Sequence, residues 1–181
     1  DLIYKFFEKL SYRRLEQRFH HRFEFDIAKC FYNIYTHSIT WAIKGKEYAK
    51  QNHKHTSFET QFDNIVQLSN YNETNGIIVG PEFSRIFAEV ILQAIDLQVH
   101  TKLEEQGFKY KVDYNIKRYV DDYFVFTNDL KLGEIIQKLF KDNLEEYKLY
   151  INERKSIVRE RPFMTNIGVG KIELKRRITD L

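Results

Sequence analysis

The order of the predicted strands and helices constrains the fold of this chain more than any other feature. Polar and apolar residues alternate over 22–27, which predicts a half-buried strand. Helical segments follow, then strands over 108–120 and 123–128, an amphipathic helix over 131–147 and a strand over 148–151. This order is that of the split βαβ, or ferredoxin-like, arrangement. The expected fold class is therefore α+β, with an antiparallel sheet backed by helices.

Apolar residues recur at helical spacing in further segments of the chain. They predict helices over 2–19, over 38–50 with an end near Gly45, over 58–69 and over 83–105. The 83–105 segment is apolar over much of its surface, so we expect it to be largely buried. Glycines and a proline mark a turn region over 70–82, and the tail over 155–178 is expected to form short strands.

The predicted topology brings distant acidic residues together. A right-handed crossover from the first strand to the second leaves a gap, which the third strand fills in an antiparallel direction. Asp26 ends the first strand, and Asp121 and Asp122 stand between the second and third. We therefore expect three carboxylates, about ninety-five positions apart in the chain, to meet at one edge of the sheet.

Converging carboxylates indicate a site for divalent cations. Such groups repel one another and raise one another's pKa unless a cation lies among them. Mg²⁺ binds through carboxylates, waters and substrate phosphates, and two ions about 3.5–4 Å apart can assist phosphoryl transfer. Structural interpretations exist for each residue alone: an aspartate of the 121–122 turn can adopt the left-handed conformation of a hairpin, and Asp26 can cap a helix.

The composition is that of a globular chain and excludes little else. Its 181 residues are 43% hydrophobic and 30% charged, enough for one domain with a real core. The net charge of +3 permits nucleic-acid binding without requiring it. One cysteine excludes an internal disulfide, and no apolar run reaches transmembrane length, so we expect a cytoplasmic protein without membrane contact. A first residue other than Met is typical of a piece of a longer or processed protein.

Four segments resemble, in order and spacing, the successive palm motifs of reverse transcriptases. They are FDIAKCFYNIY (25–35), GIIVGPEFSRIFAEVIL (76–92), RYVDDYFVF (118–126) and LYINERKS (149–156). The resemblance covers roughly 22–170 and implies a ferredoxin-like palm fold. The wording NIYTHSITWAIKGK (33–46), with GPE followed by SR, looks most like bacterial reverse transcriptases of the abortive-infection or phage-defence type.

The resemblance implies a metal role for four positions. Asp26 is similar to the first metal-binding aspartate of the family, with the Ile27 carbonyl beside it in the metal shell. Asp121 is similar to the second metal-bridging aspartate and Asp122 to its accessory neighbour. The implied cofactor is Mg²⁺, as two ions, with Mn²⁺ as a possible substitute.

The resemblance also implies contacts to the incoming nucleotide. Phe31 matches the steric gate that excludes a 2′-hydroxyl, although its ring can equally belong to the core. Val79, Gly80 and Ser84 match the loop and helix start that touch the nucleotide. Lys155 matches the lysine near the leaving pyrophosphate, a candidate general acid, and is alternatively a surface lysine beside Glu153.

Three basic residues are candidates for nucleic-acid contact: Arg118, Lys171 and Lys175. Arg118 alternatively meets structural carboxylates such as Glu89, and the basic stretch over 171–178 is alternatively a solvated face.

The implied organisation is a helical lead-in over 1–21, a polymerase palm over 22–160 and a palm–thumb connection over 161–181. The fingers and thumb of the family are expected outside these residues, so this piece alone is expected to be inactive or weak.

The resemblance implies RNA-directed DNA polymerisation, with an RNA template, a DNA primer and dNTP as partners. Some positions depart from the family pattern: Ile78 and Arg85 stand where proline is common, and Val79 where many members have glutamine. Two alternatives stay open. One is a template-independent DNA polymerase of the abortive-infection type, and the other is a fragment that only binds nucleic acid.

Overall fold

A four-stranded antiparallel sheet forms the centre of the computed structural model, which describes residues 3–51, 57–163 and 176–178. The strands are β1 (His21–Asp26), β2 (Tyr114–Tyr119), β3 (Asp122–Thr127) and β4 (Ile157–Glu160). Their order in the sheet is β2-β3-β1-β4. The third strand thus fills the gap between the first two, and the α+β, ferredoxin-like prediction is confirmed.

Helices occupy most of the remaining described chain. They are α1 (Ile3–Glu8), α2 (Leu10–Arg18), α3 (Cys30–Asn33), α4 (Ser38–Lys44), α5 (Lys46–Gln51), α6 (Phe58–Ser69), α7 (Glu82–Glu105) and α8 (Leu130–Glu146), with a 3₁₀ turn at Glu153–Lys155. The predicted helices over 58–69, 83–105 and 131–147 agree with α6, α7 and α8 to within one residue. Within the described chain, no helix is long and apolar enough to cross a membrane.

Several predicted boundaries are wrong for identifiable reasons. The strand predicted over 148–151 does not form: Lys148 has a left-handed φ of 61°, Leu149 closes the end of α8, and only Ile151 makes an isolated bridge, to Ile27. The fourth strand is β4 instead. The strand predicted over 108–120 shortens to β2 because Lys111, with a φ of 65°, lies in a turn that precedes it.

Helix breaks were only partly predicted. The 38–50 segment is interrupted at Gly45, whose φ of 86° suits glycine, as the sequence indicated. The 2–19 segment is divided at Lys9, which separates α1 from α2. The short α3 was not predicted, because one helical turn carries no periodic apolar pattern.

The two faces of the sheet pack against different helices, because successive side chains of a strand point to opposite faces. Phe23 and Phe25 of β1 pack on α7 and α8 in the main core, as predicted for one face. Phe124 and Phe126 of β3 point the other way into an aromatic cluster with α1 and α2. Asp26 lies on this second face, at the end of β1, beyond the residues of β1 that pair with β4.

Gly133 lets α8 approach the sheet closely, which gives the first prediction. A Cβ at this position would lie 2.0 Å from Cε2 of the buried Phe23 ring. Alanine gains about 1 kcal/mol of helix propensity over glycine, but overpacking a core costs about 1–3 kcal/mol. We expect Gly133→Ala to lower the free energy of unfolding by about 1 kcal/mol in urea titrations. The exposed Glu134→Ala serves as the control, and a Gly133→Ala protein more stable than the native one would contradict this packing.

Candidate active site

The register of β1 against β3 brings the predicted carboxylates together. Asp26 is the direct cross-strand partner of Asp122, and both side chains therefore lie on the same face. Asp121 belongs to the two-residue turn that joins β2 to β3, and its carbonyl accepts a hydrogen bond from the Ile27 N–H at 3.2 Å. The sheet thus places the end of β1 beside the turn, as the topology predicted.

Neither structural interpretation of these aspartates describes their conformation. In the turn, the residue with a left-handed φ, 56°, is Val120, and Asp121 has no positive φ. Asp26 caps no helix, because α3 begins after Lys29 and has no side-chain cap. The aspartates are therefore not accounted for by local backbone requirements.

Asp26 has one carboxylate oxygen engaged and one unsatisfied. The residue is 9% exposed, and its Oδ2 accepts a hydrogen bond from Lys155 Nζ at 3.1 Å. Its Oδ1 is buried without a hydrogen-bond partner. A buried oxygen left unpaired costs about 1–3 kcal/mol, and more when charged. This arrangement leaves a strong acceptor available to a cation.

Lys155 reaches Asp26 across a long stretch of chain. The hydrogen bond to Asp26 and its negative charge raise the pKa of Lys155. Glu153, the alternative neighbour, is instead paired with Lys141 at 2.8 Å. The 3₁₀ turn at Glu153–Lys155 therefore directs the two residues to different partners, and Lys155 lies in the acidic site.

Burial and the repulsion of neighbouring charges both raise the pKa values of the adjacent residues Asp121 and Asp122. Burial is the largest cause that raises the pKa of Asp121, and the charge of Asp26 adds to it while Lys155 opposes it. Burial likewise raises the pKa of Asp122, followed by the charges of Asp121 and Asp26. Each carboxylate is thus less readily ionised than a free one, as expected of like charges held together.

The donor set fits a hard divalent cation in its chemistry. Carboxylate oxygens under mutual repulsion, one of them buried and unpaired, are the ligands that Mg²⁺ prefers. Over residues 3–51, 57–163 and 176–178, however, no group of three or more His, Cys, Asp or Glu side chains is already arranged to hold a metal. The charge beside Asp26 comes from Lys155, whose Nζ lies 3.1 Å from Asp26 Oδ2.

Comparison with known proteins decides the family. A family model described as reverse transcriptase (RNA-dependent DNA polymerase) matches residues 5–169. The chain belongs to the reverse transcriptase family. A comparison with curated proteins finds no match.

Solved telomerase structures have a similar fold. Telomerase from Candida albicans, in complex with a TWJ fragment of telomeric RNA, is 15% identical with a TM-score of 0.56 over 84% of this chain and 29% of its own. Apo telomerase from Candida tropicalis is 15% identical with a TM-score of 0.59 over 88% of this chain and 33% of its own. The chain thus spans about a third of the length of these proteins, and the likeness concerns the fold alone.

The predicted nucleotide contacts of this member of the family lie around α3 and the loop before α7. Phe31 is half-buried against the main core, and its carbonyl accepts a hydrogen bond from Ile77 N–H at 2.8 Å. Val79 is 59% exposed, and Gly80, with a φ of 119°, has open space around it. Ser84 is fully buried in α7 with an unpaired Oγ, so its hydroxyl is not at the surface. Nucleotide contact by these residues stays a prediction.

Of the three predicted nucleic-acid contacts, the structure describes Arg118 alone. Lys171 and Lys175 lie outside the described residues. The Arg118 side chain is 10% exposed and forms ion pairs with Glu89 and Asp96 on α7. These contacts agree with the alternative prediction, in which Arg118 meets structural carboxylates. Asp96 was missed by the sequence reasoning, although a carboxylate in the buried, apolar part of a helix was a signal of a buried partner.

The raised pKa values predict how stability depends on pH without divalent cations. A carboxylate whose pKa is raised on folding stabilises the fold fully below its unfolded pKa, about 3.9, and loses that contribution as pH rises through the folded value. We therefore expect the free energy of unfolding at pH 7 to be higher for Asp122→Asn than for the native protein. The difference should be less than about 1 kcal/mol, because solvent screens this half-buried group.

Chemical denaturation from pH 3.5 to pH 8 in a chelator measures this difference. The gap between the two proteins should close as pH falls towards 4 and should shrink at pH 7 when Mg²⁺ is added. A native protein as stable as Asp122→Asn at every pH would show that the carboxylates do not repel one another.

Proposed function

We propose that this chain is the catalytic palm of a reverse transcriptase that adds dNTP to a primer. The primer 3′-hydroxyl oxygen loses its proton to water and bonds to the α-phosphorus, the bond from that phosphorus to the bridging oxygen breaks, and pyrophosphate leaves. The observation that carries the proposal is the direct pairing of Asp26 with Asp122, beside Asp121 of the turn. Family membership supports the same chemistry.

In this proposal, the acidic edge of the sheet binds the cofactor. Asp26, Asp121, Asp122 and the carbonyl of Ile27 would hold Mg²⁺, as two ions, or Mn²⁺ in its place. When bound, the ions lower the pKa of the attacking hydroxyl and neutralise the charge that develops on the phosphate. The unpaired Oδ1 of Asp26 supports this assignment, because a cation would satisfy it.

Other residues of the chain would position the substrate and supply a proton to the leaving group. Lys155, which already faces Asp26, would donate a proton to the pyrophosphate oxygen as it leaves. The half-buried ring of Phe31 would pack under the sugar and exclude a 2′-hydroxyl. Val79 and Gly80 would contact the nucleotide from the loop before α7, with Ser84 behind them.

The proposed partners are an RNA template and a DNA primer, held with the help of fingers and thumb elsewhere in the same polypeptide. Within this chain we assign 1–21 to a helical lead-in, 22–160 to the palm and 161–181 to the connection towards the thumb. The motif wording over 33–46 supports a bacterial enzyme of the abortive-infection or phage-defence type. A cytoplasmic location is also proposed. Lys171 and Lys175 are proposed to contact nucleic acid from the basic tail.

Primer extension by the polypeptide in its full natural length tests the proposal. We expect Asp26→Asn and Asp121→Asn each to lower kcat by about 10³-fold or more, because either change removes a metal-binding carboxylate. Asp129→Asn is the matched control. Asp129 caps α8 from the opposite end of β3, and asparagine caps equally well, so this variant should keep its rate.

The same assay with and without an RNA template separates the alternatives. Products whose sequence is complementary to an added template support reverse transcription. Products that are the same with and without the template indicate a template-independent polymerase that uses the same aspartates. A full polymerase rate in Asp26→Asn would contradict both. Salt-sensitive nucleic-acid binding with no extension under any condition would leave only the binding fragment.

A further inference from the structure

Arg118 joins helix α7 to the β2–β3 hairpin. Its Nη1 and Nη2 donate to the two carboxylate oxygens of Glu89, both at 2.8 Å, and its Nε donates to Asp96 Oδ2 at 2.9 Å. Glu89 and Asp96 stand seven residues apart, so they lie on one face of α7. The guanidinium, with its fixed fork of donors, therefore spans about two turns of a helix that belongs to the main core.

The same guanidinium also binds the turn itself. Arg118 Nη1 donates to the carbonyl of Val120 at 3.0 Å. Val120 has a φ of 56°, a left-handed conformation that a β-branched residue adopts only when its surroundings enforce it. The Val120 carbonyl is the peptide link to Asp121, so this hydrogen bond acts one bond away from the proposed metal-binding residue.

The strand that follows the turn is also hydrogen-bonded to α7. Tyr123, the second residue of β3, donates its hydroxyl to Asp96 Oδ1 at 2.9 Å. Tyr123 is fully buried and stacks on Phe25 with ring centroids 5.2 Å apart and an interplanar angle of 12°. Asp96 thus holds one residue from each strand of the hairpin, Arg118 before the turn and Tyr123 after it.

We propose that Arg118 is a positioning residue for the acidic site, through its hold on the Val120 carbonyl. It fixes the left-handed turn against α7, and so sets where Asp121 stands relative to Asp26. The inference rests on the proposed function for its catalytic consequence. It also replaces the prediction of a nucleic-acid contact at Arg118, because the donors that would meet phosphate are used inside the protein.

Arginine is suited to this task and lysine is not. Four hydrogen bonds leave the Arg118 guanidinium in three directions, towards Glu89, Asp96 and Val120. A lysine ammonium keeps the charge that the two carboxylates require, but it lacks the planar fork that meets all three at once. Arg118→Lys therefore keeps the charge that neutralises the two helix carboxylates and removes the hydrogen bonds that position the turn. It should also disturb folding less than Arg118→Met, which leaves those carboxylates without a counter-charge.

The first readout needs neither metal nor catalysis. In the metal-free protein of full natural length, we expect Arg118→Lys to speed amide hydrogen exchange in the 119–122 turn by about tenfold, with exchange in α8 unchanged. Lys102→Met is the matched control, because Lys102 links α7 to a different element, Asn143 of α8, far from the turn. Native exchange rates at the turn of Arg118→Lys would overturn the proposal.

The second readout is kinetic. A carboxylate misplaced by a fraction of an ångström lowers kcat, so we expect roughly a tenfold loss in Arg118→Lys, a higher half-saturating Mg²⁺ concentration and a KM for dNTP within about twofold of native. A residue that contacted the nucleic acid would instead change primer–template affinity and its salt dependence. That result, with native kcat and metal dependence, would overturn the proposal.

A rescue variant tests the turn directly. Glycine adopts a left-handed φ without strain, so Val120→Gly should recover part of the kcat and metal affinity lost in Arg118→Lys. Additive losses in the double variant would contradict action through the turn. Asp26→Asn separates the two hypotheses: if it abolishes extension while Arg118→Lys matches native in every readout, only this inference fails. If Asp26→Asn keeps its rate, the proposed function fails.

Discussion

The pairing of β1 with β3 is the constraint on which the site depends. Side chains alternate between the faces of a strand, so a shift of one residue in this register would turn Asp26 towards the main core and separate it from Asp122. The apolar alternation within β1 prevents that shift, because Phe23 and Phe25 would leave the core formed with α7 and α8. The same hydrophobic pattern that folds the sheet therefore also places the acids.

The acidic edge is unfavourable for stability when considered alone. It combines a buried carboxylate oxygen without a partner, carboxylates that repel one another and a valine in a left-handed turn. Such features persist only where the surrounding structure enforces them, and they concentrate at functional sites. Here the enforcement comes from two-sided packing of the sheet, from the hydrogen bond of Ile27 to the turn, and from the Arg118 network on α7.

The sequence predicted the features that depend on periodicity and topology, and it missed those that depend on individual contacts. Alternation over 22–27 and the order of elements were enough to place Asp26 beside the turn. The stretch over 148–151 resembled a strand, but the backbone N–H of Leu149 donates to the Leu144 carbonyl and closes the end of α8, while the Leu149 side chain is buried in the main core. The strain at Val120 and the partners of Arg118 arise from contacts between distant segments, which a single amino-acid sequence does not report.

A crystal of the protein soaked with Mn²⁺ and a dNTP tests the central claim most directly. The account predicts anomalous density for Mn²⁺ between Asp26 and Asp121, within about 2.2 Å of a carboxylate oxygen of each, with Lys155 displaced from Asp26 towards the triphosphate. Mn²⁺ and nucleotide bound elsewhere, with Lys155 still paired to Asp26, would contradict it.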